Sequence, residues 1–273
     1  MLPPDMSLAA RNHVRFVRTS VQFENESWLE GSFTLDQFYQ RIAESRILPT
    51  SSQPSPDEYL RVYREAAQEG PVLAILLSAA LSSTYMTSVA MAKQVTEADI
   101  VCFDSQYFSS ALGYMVAEAA EMALAGASRA AIIERLEWRR QKTSIFIAID
   151  TLAFLRRSGR VNLFQAGLAT MLKIKPILTV ENGDLTVVSR VRSRRRSLQR
   201  LLTLLEERIQ SFKGSLWVSA MHGNASEEAA WLLSKMADRF PIERQFMSEA
   251  PASLALHGGP GVVGIMATVG RDG

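Results

Sequence analysis

The sequence predicts a mixed α/β protein in two domains, on three observations. Short apolar runs at Val72–Leu77, Ile100–Phe103 and Ile145–Ile149 alternate with helix-patterned stretches, which is how strands buried on both faces of a mostly parallel sheet read. Beyond Asp150 the pattern changes to an Asn-Gly hairpin signal and isolated strands among helices, the mark of an α+β portion. The length of 273 residues exceeds one average domain. The expectation is an N-terminal layered α/β domain over 1–150 and a C-terminal α+β domain over 151–273.

The elements follow in order. His13 to Phe23 alternates apolar and polar residues imperfectly, as a half-buried strand does. Leu35, Phe38, Tyr39 and Ile42 share a helical face, and Thr34 with Gln37 has capping-box spacing. Ser55-Pro56-Asp57-Glu58 supplies a cap, a first-turn proline and a returning acid for a helix to about Gln68. The strand at Val72 feeds a helix beginning at Ser82 or Ser83. The strand at Ile100 feeds an Ala-rich helix from Ser110 to Ala125, a capped helix from Ser128 to Arg140 and a third strand at Ile145. A short helix, a second near Phe164 to Leu172, and a hairpin about Asn182-Gly183 come next. A helix from Ser193 to Ile209, a strand from Leu216 to Met221, a helix from Ser226 to Met236 and two last strands complete the chain.

Composition narrows the function. With 30 Lys+Arg against 28 Asp+Glu the net charge is +2, which gives no global case for nucleic acid or an anionic membrane. One cysteine, Cys102, excludes an internal disulfide framework, and three histidines with one cysteine form no zinc-ligand spacing. The start has no export signal and no apolar run is long enough to span a bilayer, so a cytoplasmic protein without membrane-spanning segments is expected.

Four segments could carry chemistry. Thr50-Ser51-Ser52-Gln53-Pro54-Ser55 places hydroxyls and an amide before a helix start, and Leu81-Ser82-Ser83-Thr84-Tyr85 does the same after a buried strand. Each reads alone as a capped loop, but hydroxyls at helix N-termini are also donors for an anion, and strand carboxyl ends are where open α/β sheets bind ligands. His257-Gly258-Gly259-Pro260-Gly261, between apolar strand-like runs, adds an imidazole and a backbone that can approach a ligand closely. Arg156-Arg157-Ser158-Gly159-Arg160 and the six arginines from Arg190 to Arg200 are basic, but acids follow and no aromatic interleaves to stack bases, so nucleic acid is not expected. No phosphate loop, nucleophile elbow or metal-spaced acid set accompanies these segments, and donors without a general base favour binding over catalysis.

Taken in order, Ser51-Ser52-Gln53-Pro54-Ser55, Leu81-Ser82-Ser83-Thr84-Tyr85, Asp104-Ser105, Phe154-Leu155-Arg156-Arg157-Ser158-Gly159-Arg160-Val161, Ile174-Lys175-Pro176-Ile177-Leu178 and His257-Gly258-Gly259-Pro260-Gly261 resemble the DegV family, over almost the whole chain. The resemblance implies a two-domain carrier, not an enzyme and without a cofactor, that holds one long-chain fatty acid with its carboxylate at the interdomain cleft. Some bacterial members, called FakB, present that acid to a separate fatty acid kinase. The resemblance also implies the residues: Ser51, Ser52, Ser82, Ser83, Thr84, His257 and Gly258 at the carboxylate, and Arg157 and Arg160 facing a partner or phosphate. The Ala-rich, Met-containing helices from Val89 to Ala125 offer an apolar lining for the acyl chain.

Departures from the family pattern are Ser83 for a glycine, Ala79 for a serine, Ser158 for the first of two glycines, and an added or shifted Gly259. The family also opens with a strand ending in DS-x-x-D-L-P, whereas this chain starts at Met1-Leu2-Pro3-Pro4, about where that segment ends, so a core strand is expected to be missing. The rival reading is a small-molecule transferase or hydrolase with Ser82 as nucleophile and His257 as base.

Overall fold

The computed structural model describes residues 1–45, 47–151, 153–160 and 174–271. The chain begins with α1 (Leu8–Asn12), β1 (Ser20–Gln22), β2 (Ser27–Leu29), α2 (Leu35–Glu44), β3 (Thr50–Ser52) and α3 (Pro56–Ala67). Then come β4 (Val72–Leu76), α4 (Thr84–Ala92), β5 (Ile100–Asp104), α5 (Ser109–Leu124), α6 (Arg129–Gln141), β6 (Thr143–Ala148) and α7 (Ala153–Ser158). The remainder is β7 (Lys175–Glu181), β8 (Asp184–Val191), α8 (Arg194–Ile209), β9 (Leu216–His222), α9 (Ser226–Ala237), β10 (Ile242–Glu249), α10 (Ala252–Gly258) and β11 (Val263–Val269). Among the described residues these strands form three sheets, ordered β2-β1-β3, β4-β5 and β10-β9-β11-β6-β7-β8. No helix among them is long and apolar enough to cross a membrane.

Local chemistry accounts for the helix starts. Thr34 and Gln37 close a full capping box, at 3.2 and 2.7 Å. Ser55 accepts from the Glu58 N–H at 3.2 Å, but the Glu58 carboxylate turns to Arg18 and Arg61, so only half of that box forms. Ser128 and Ser193 cap α6 and α8. Asn182 (φ 51°) and Gly183 (φ 85°) both take the left-handed turn that joins β7 to β8.

Three expectations change, and a fourth lies outside the described residues. From His13 to Phe23 only Ser20–Gln22 is a strand, because these residues have ladder partners in β2 and β3 while residues 14–19 belong to no ladder. The Ile145 run is β6, and it pairs antiparallel with β7 and β11 instead of joining β4 and β5; a continuous apolar run reports burial on both faces, not the partner strand. The residues before His257 are helical, not strand-like: Ala252, Ala255 and Leu256 are buried at helical spacing, and the Glu30 carboxylate accepts from the Ala252 and Ser253 N–H groups at 2.8 and 3.1 Å. The helix expected near Phe164 to Leu172 lies outside the described residues.

Two apolar layers sandwich the six-stranded sheet. Ile145 and Ile147 face α5 with Tyr114, Met115 and Trp217, while Phe146 and Ala148 face α8 and α9 with Leu201, Leu205 and Leu232. The fully buried Arg139 of α6 pairs with Glu118 of α5, donates to Val269 O at 2.7 Å and stacks 4.2 Å over the Trp217 ring, which fastens the helical layer to the large sheet.

Candidate functional site

Three of the expected segments meet. β3 hydrogen-bonds along β1, which holds the Ser51 side chain toward α10, and Ser51 Oγ lies 3.1 Å from His257 Nε2 across 206 positions of sequence. From the same loop, Gln53 Oε1 accepts from Ser83 Oγ at 2.8 Å and from Thr87 Oγ1 at 3.1 Å. Those two bonds dock the Ser51 loop on the start of α4. There Ser82 Oγ lies 2.8 Å from Thr84 Oγ1 and accepts from the Thr84 N–H at 3.2 Å. Ser83 takes the αR conformation (φ −67°), which any residue adopts, so serine in place of a glycine costs no strain, and its hydroxyl supplies the Gln53 contact.

The glycines after His257 serve packing as well as approach. A Cβ on Gly258 would fall 2.8 Å from Val262 Cγ2, and one on Gly259 would fall 2.6 Å from Phe154 Cδ2. Gly259 also takes φ 77° and ψ 171°, a region open essentially to glycine alone. The turn therefore seats directly on Phe154 of α7, and this carries the arginines of α7 to the site. Arg157 lies 5.9 Å over the Phe154 ring, and both Arg157 and Arg160 are exposed.

Electrostatics fix the state of His257. Burial, then the positive charges of Arg160 and Arg157, pull its pKa from 6.5 down to about 4, so the ring is neutral at pH 7. Its Nδ1 is buried without a hydrogen-bond partner among the described residues. Placing the proton on Nε2 leaves only a lone pair unsatisfied, the less costly alternative. In that tautomer Nε2–H donates to Ser51 Oγ, and the Ser51 O–H is free to donate outward. Ser51, the Ser82–Thr84 pair and the start of α4 thus offer neutral donors, under the field of two arginines, to a negatively charged group.

The same geometry gives the transferase or hydrolase reading no support. Ser82 is engaged with Thr84 and His257 with Ser51, so the expected nucleophile–base pair is not formed, and an imidazole with its proton on Nε2 cannot take one from Ser51. Two arginines of the basic run are paired with acids: Arg194 bonds Glu228 at 2.9 Å and Arg200 bonds Glu207 at 2.9 Å.

The expected apolar lining is present only in part. A cavity of about 610 Å³ is bordered by Val116, Ala119, Ala120, Ala123 and Leu124, all within the Val89 to Ala125 stretch, but by none of Ser51, Ser52, Ser82, Ser83, Thr84, His257 or Gly258. Three contributors went unlisted at the sequence level: Gln53, which joins two loops; Phe154, which supports the glycine turn; and Glu30, which caps α10. Gln53 sits in the hydroxyl-rich segment and Phe154 opens the Phe154–Val161 segment, so both could have been found there; nothing local marks Glu30.

Known proteins resemble this chain along nearly its whole length. A family model described as "Uncharacterised protein, DegV family" matches residues 2–269. The Protein DegV of Bacillus subtilis (strain 168) is 30% identical over 260 residues, covering 93% of this chain and 92% of that protein. Among solved structures, a fatty-acid-binding DegV family protein from Thermus thermophilus superposes with a TM-score of 0.89 at 31% identity, over 98% of this chain and 95% of its own. DegV from Bacillus subtilis, described as a fatty acid binding protein, superposes with a TM-score of 0.86 at 28% identity, over 95% and 93%. A match across nearly the whole sequence and the whole fold settles kinship: this chain belongs to the DegV family.

Proposed function

We propose that this protein is a fatty-acid carrier and not an enzyme: it holds one long-chain fatty acid with the carboxylate at the meeting point of Ser51, Ser52, Ser82, Ser83, Thr84 and the His257-Gly258 turn. The observation that carries the reading is the 3.1 Å contact between Ser51 and His257, which builds a neutral, half-buried donor pair out of two segments 206 positions apart. A buried carboxylate needs several such donors, since leaving it unpaired is prohibitive. The relatives from Thermus thermophilus and Bacillus subtilis, both described as binding fatty acid, support the choice of ligand.

Arg157 and Arg160 extend the reading. They are exposed beside the head-group site and lower the pKa of His257 by their charge. That places positive potential where an acyl carboxylate would be handed to a partner, so the finer proposal is presentation to a fatty acid kinase, with these arginines facing the partner or its phosphate. A cytoplasmic location fits the lone Cys102, which lies in β5 and forms no disulfide. The test is native mass spectrometry of protein purified from cells, followed by extraction of what is bound. One long-chain fatty acid per chain is expected; protein that is repeatedly empty and takes up no acyl chain overturns the proposal.

A further inference from the structure

The tip of the β7–β8 hairpin meets the loops behind the head-group residues. Gly183 is buried, although Asn182 and Asp184 on either side of it are exposed. A Cβ on Gly183 would fall 2.7 Å from Ser78 Oγ and 3.5 Å from Gln106 Cβ, so this tip of the large sheet seats between the loop after β4 and the loop after β5. Leu185 and Val187 of β8 continue the contact, packing against the same apolar layer as Leu77 and Leu81.

Ser78 is the residue on which that contact turns. It is fully buried. Its O–H donates to Gly183 O at 2.6 Å, and its Oγ accepts from the Ala80 N–H at 3.3 Å. Its backbone N–H donates to Tyr107 O at 2.9 Å, and its C=O accepts from the Leu81 and Ser82 N–H groups at 3.1 and 3.2 Å. Asp104 Oδ1 ties the two loops together by accepting from the Ala79 and Gln106 N–H groups at 3.2 and 2.9 Å. One residue thus joins the hairpin tip, the β5–α5 loop and the turn that presents Ser82.

A buried hydroxyl that both donates and accepts holds its neighbours in one arrangement, because displacing either partner strands a polar group away from water. Ser82 lies in the turn closed on the Ser78 carbonyl, and its own hydroxyl reaches Thr84. The atoms that a Cβ on Gly183 would meet first belong to Ser78 and Gln106, not to a head-group residue. The hairpin therefore reaches the site through Ser78.

We propose that Ser78 is a positioning residue for the acyl head group: through its bond to Gly183, the β7–β8 hairpin fixes the turn that bears Ser82, and fatty-acid affinity depends on a contact that touches no ligand. The nature of the ligand rests on the carrier reading above. The role belongs to the hydroxyl of Ser78 and to the absent side chain of Gly183 together, since the 2.6 Å bond requires both.

Ser78→Ala, Gly183→Ala and the double variant are compared with the starting protein in oleate affinity, in Tm and, without oleate, in hydrogen exchange at the Leu81 and Ser82 amides. Each single substitution should weaken oleate binding by about fivefold, the first by deleting the donor and the second because its Cβ would meet Ser78 Oγ. The double variant should also lose about fivefold, not the product of the two losses, because both changes act on one contact. Exchange at the Leu81 and Ser82 amides should quicken by about tenfold in Ser78→Ala. A contact that only supports the fold lowers Tm and leaves affinity alone. Oleate affinity unchanged in both single variants, or losses that multiply in the double variant, therefore overturns the proposal. Unchanged exchange in Ser78→Ala does so as well, whatever the protein binds. A starting protein that takes up no oleate, with exchange still quickened by Ser78→Ala, brings down the carrier reading and the head-group role with it, so the two failures are told apart.

Discussion

The neutral His257 makes stability depend on pH in a defined window. Folding lowers its pKa from 6.5 to about 4, so between those values the unfolded chain binds a proton that the folded chain refuses. Where the unfolded state binds more protons, stability rises with pH. The contribution is therefore complete above about pH 6.5 and is lost as pH falls through the window toward 4. At about 1.4 kcal/mol per pH unit, the full loss attributable to this one ring is about 3 kcal/mol. Replacing His257 with Gln keeps a donor toward Ser51 and removes the titration. Urea denaturation of the two proteins at intervals from pH 7.5 to pH 4 isolates the term, because His222, also lowered by burial, and the carboxylates are common to both. The wild type should lose about 2 to 3 kcal/mol more than H257Q on acidification. Parallel pH profiles for the two proteins would refute the claim that His257 is held neutral by burial beside Arg157 and Arg160.

Three further outcomes are expected. Ser51→Ala removes a charge-assisted hydrogen bond of about 1.5–3 kcal/mol, so displacement of a fluorescent fatty acid should show affinity weaker by about tenfold to a hundredfold with the fold intact by circular dichroism. Gln53→Leu cuts both bonds to α4 and should weaken acyl binding by about fivefold, with faster amide exchange at Thr84 and Thr87 as the independent sign that the loops have parted. Gly259→Ala meets Phe154 and a backbone region closed to alanine, so its Tm should fall by at least about 4 °C in differential scanning calorimetry.

Much of this architecture is written locally. Thr34 with Gln37, Ser128 and Ser193 start helices by satisfying backbone donors, and Asn182-Gly183 makes its turn because those residues tolerate positive φ. The strand partners are not local. Ile145 to Ile149 is as apolar as Val72 to Leu77, and which sheet receives it depends on β7 and β11, which come later in the chain. His13 to Phe23 alternates as a strand throughout, yet only the part with ladder partners becomes one. The stretch before His257 is helical partly because of Glu30, more than 200 positions away, a contact no window of sequence contains.

The site was legible in a similar, partial way. Hydroxyls at helix starts announced donors, and the motif order connected Ser51, Ser82 and His257. What the residues alone could not give was that Ser51 pairs with His257 while Ser82 pairs with Thr84, the choice that separates a carrier from a hydrolase. Of the Val89 to Ala125 stretch expected to line an acyl slot, Val116, Ala119, Ala120, Ala123 and Leu124 border the cavity of about 610 Å³, whose lining includes none of the head-group residues.

A crystal structure of the protein with its co-purified or added fatty acid examines the central claim without intermediaries. The account predicts a carboxylate oxygen within hydrogen-bond distance, about 3 Å, of Ser51 Oγ, with the His257 ring still bonded to that serine and the start of α4 on the other side. A carboxylate lying elsewhere, with the Ser51–His257 pair untouched, would contradict it.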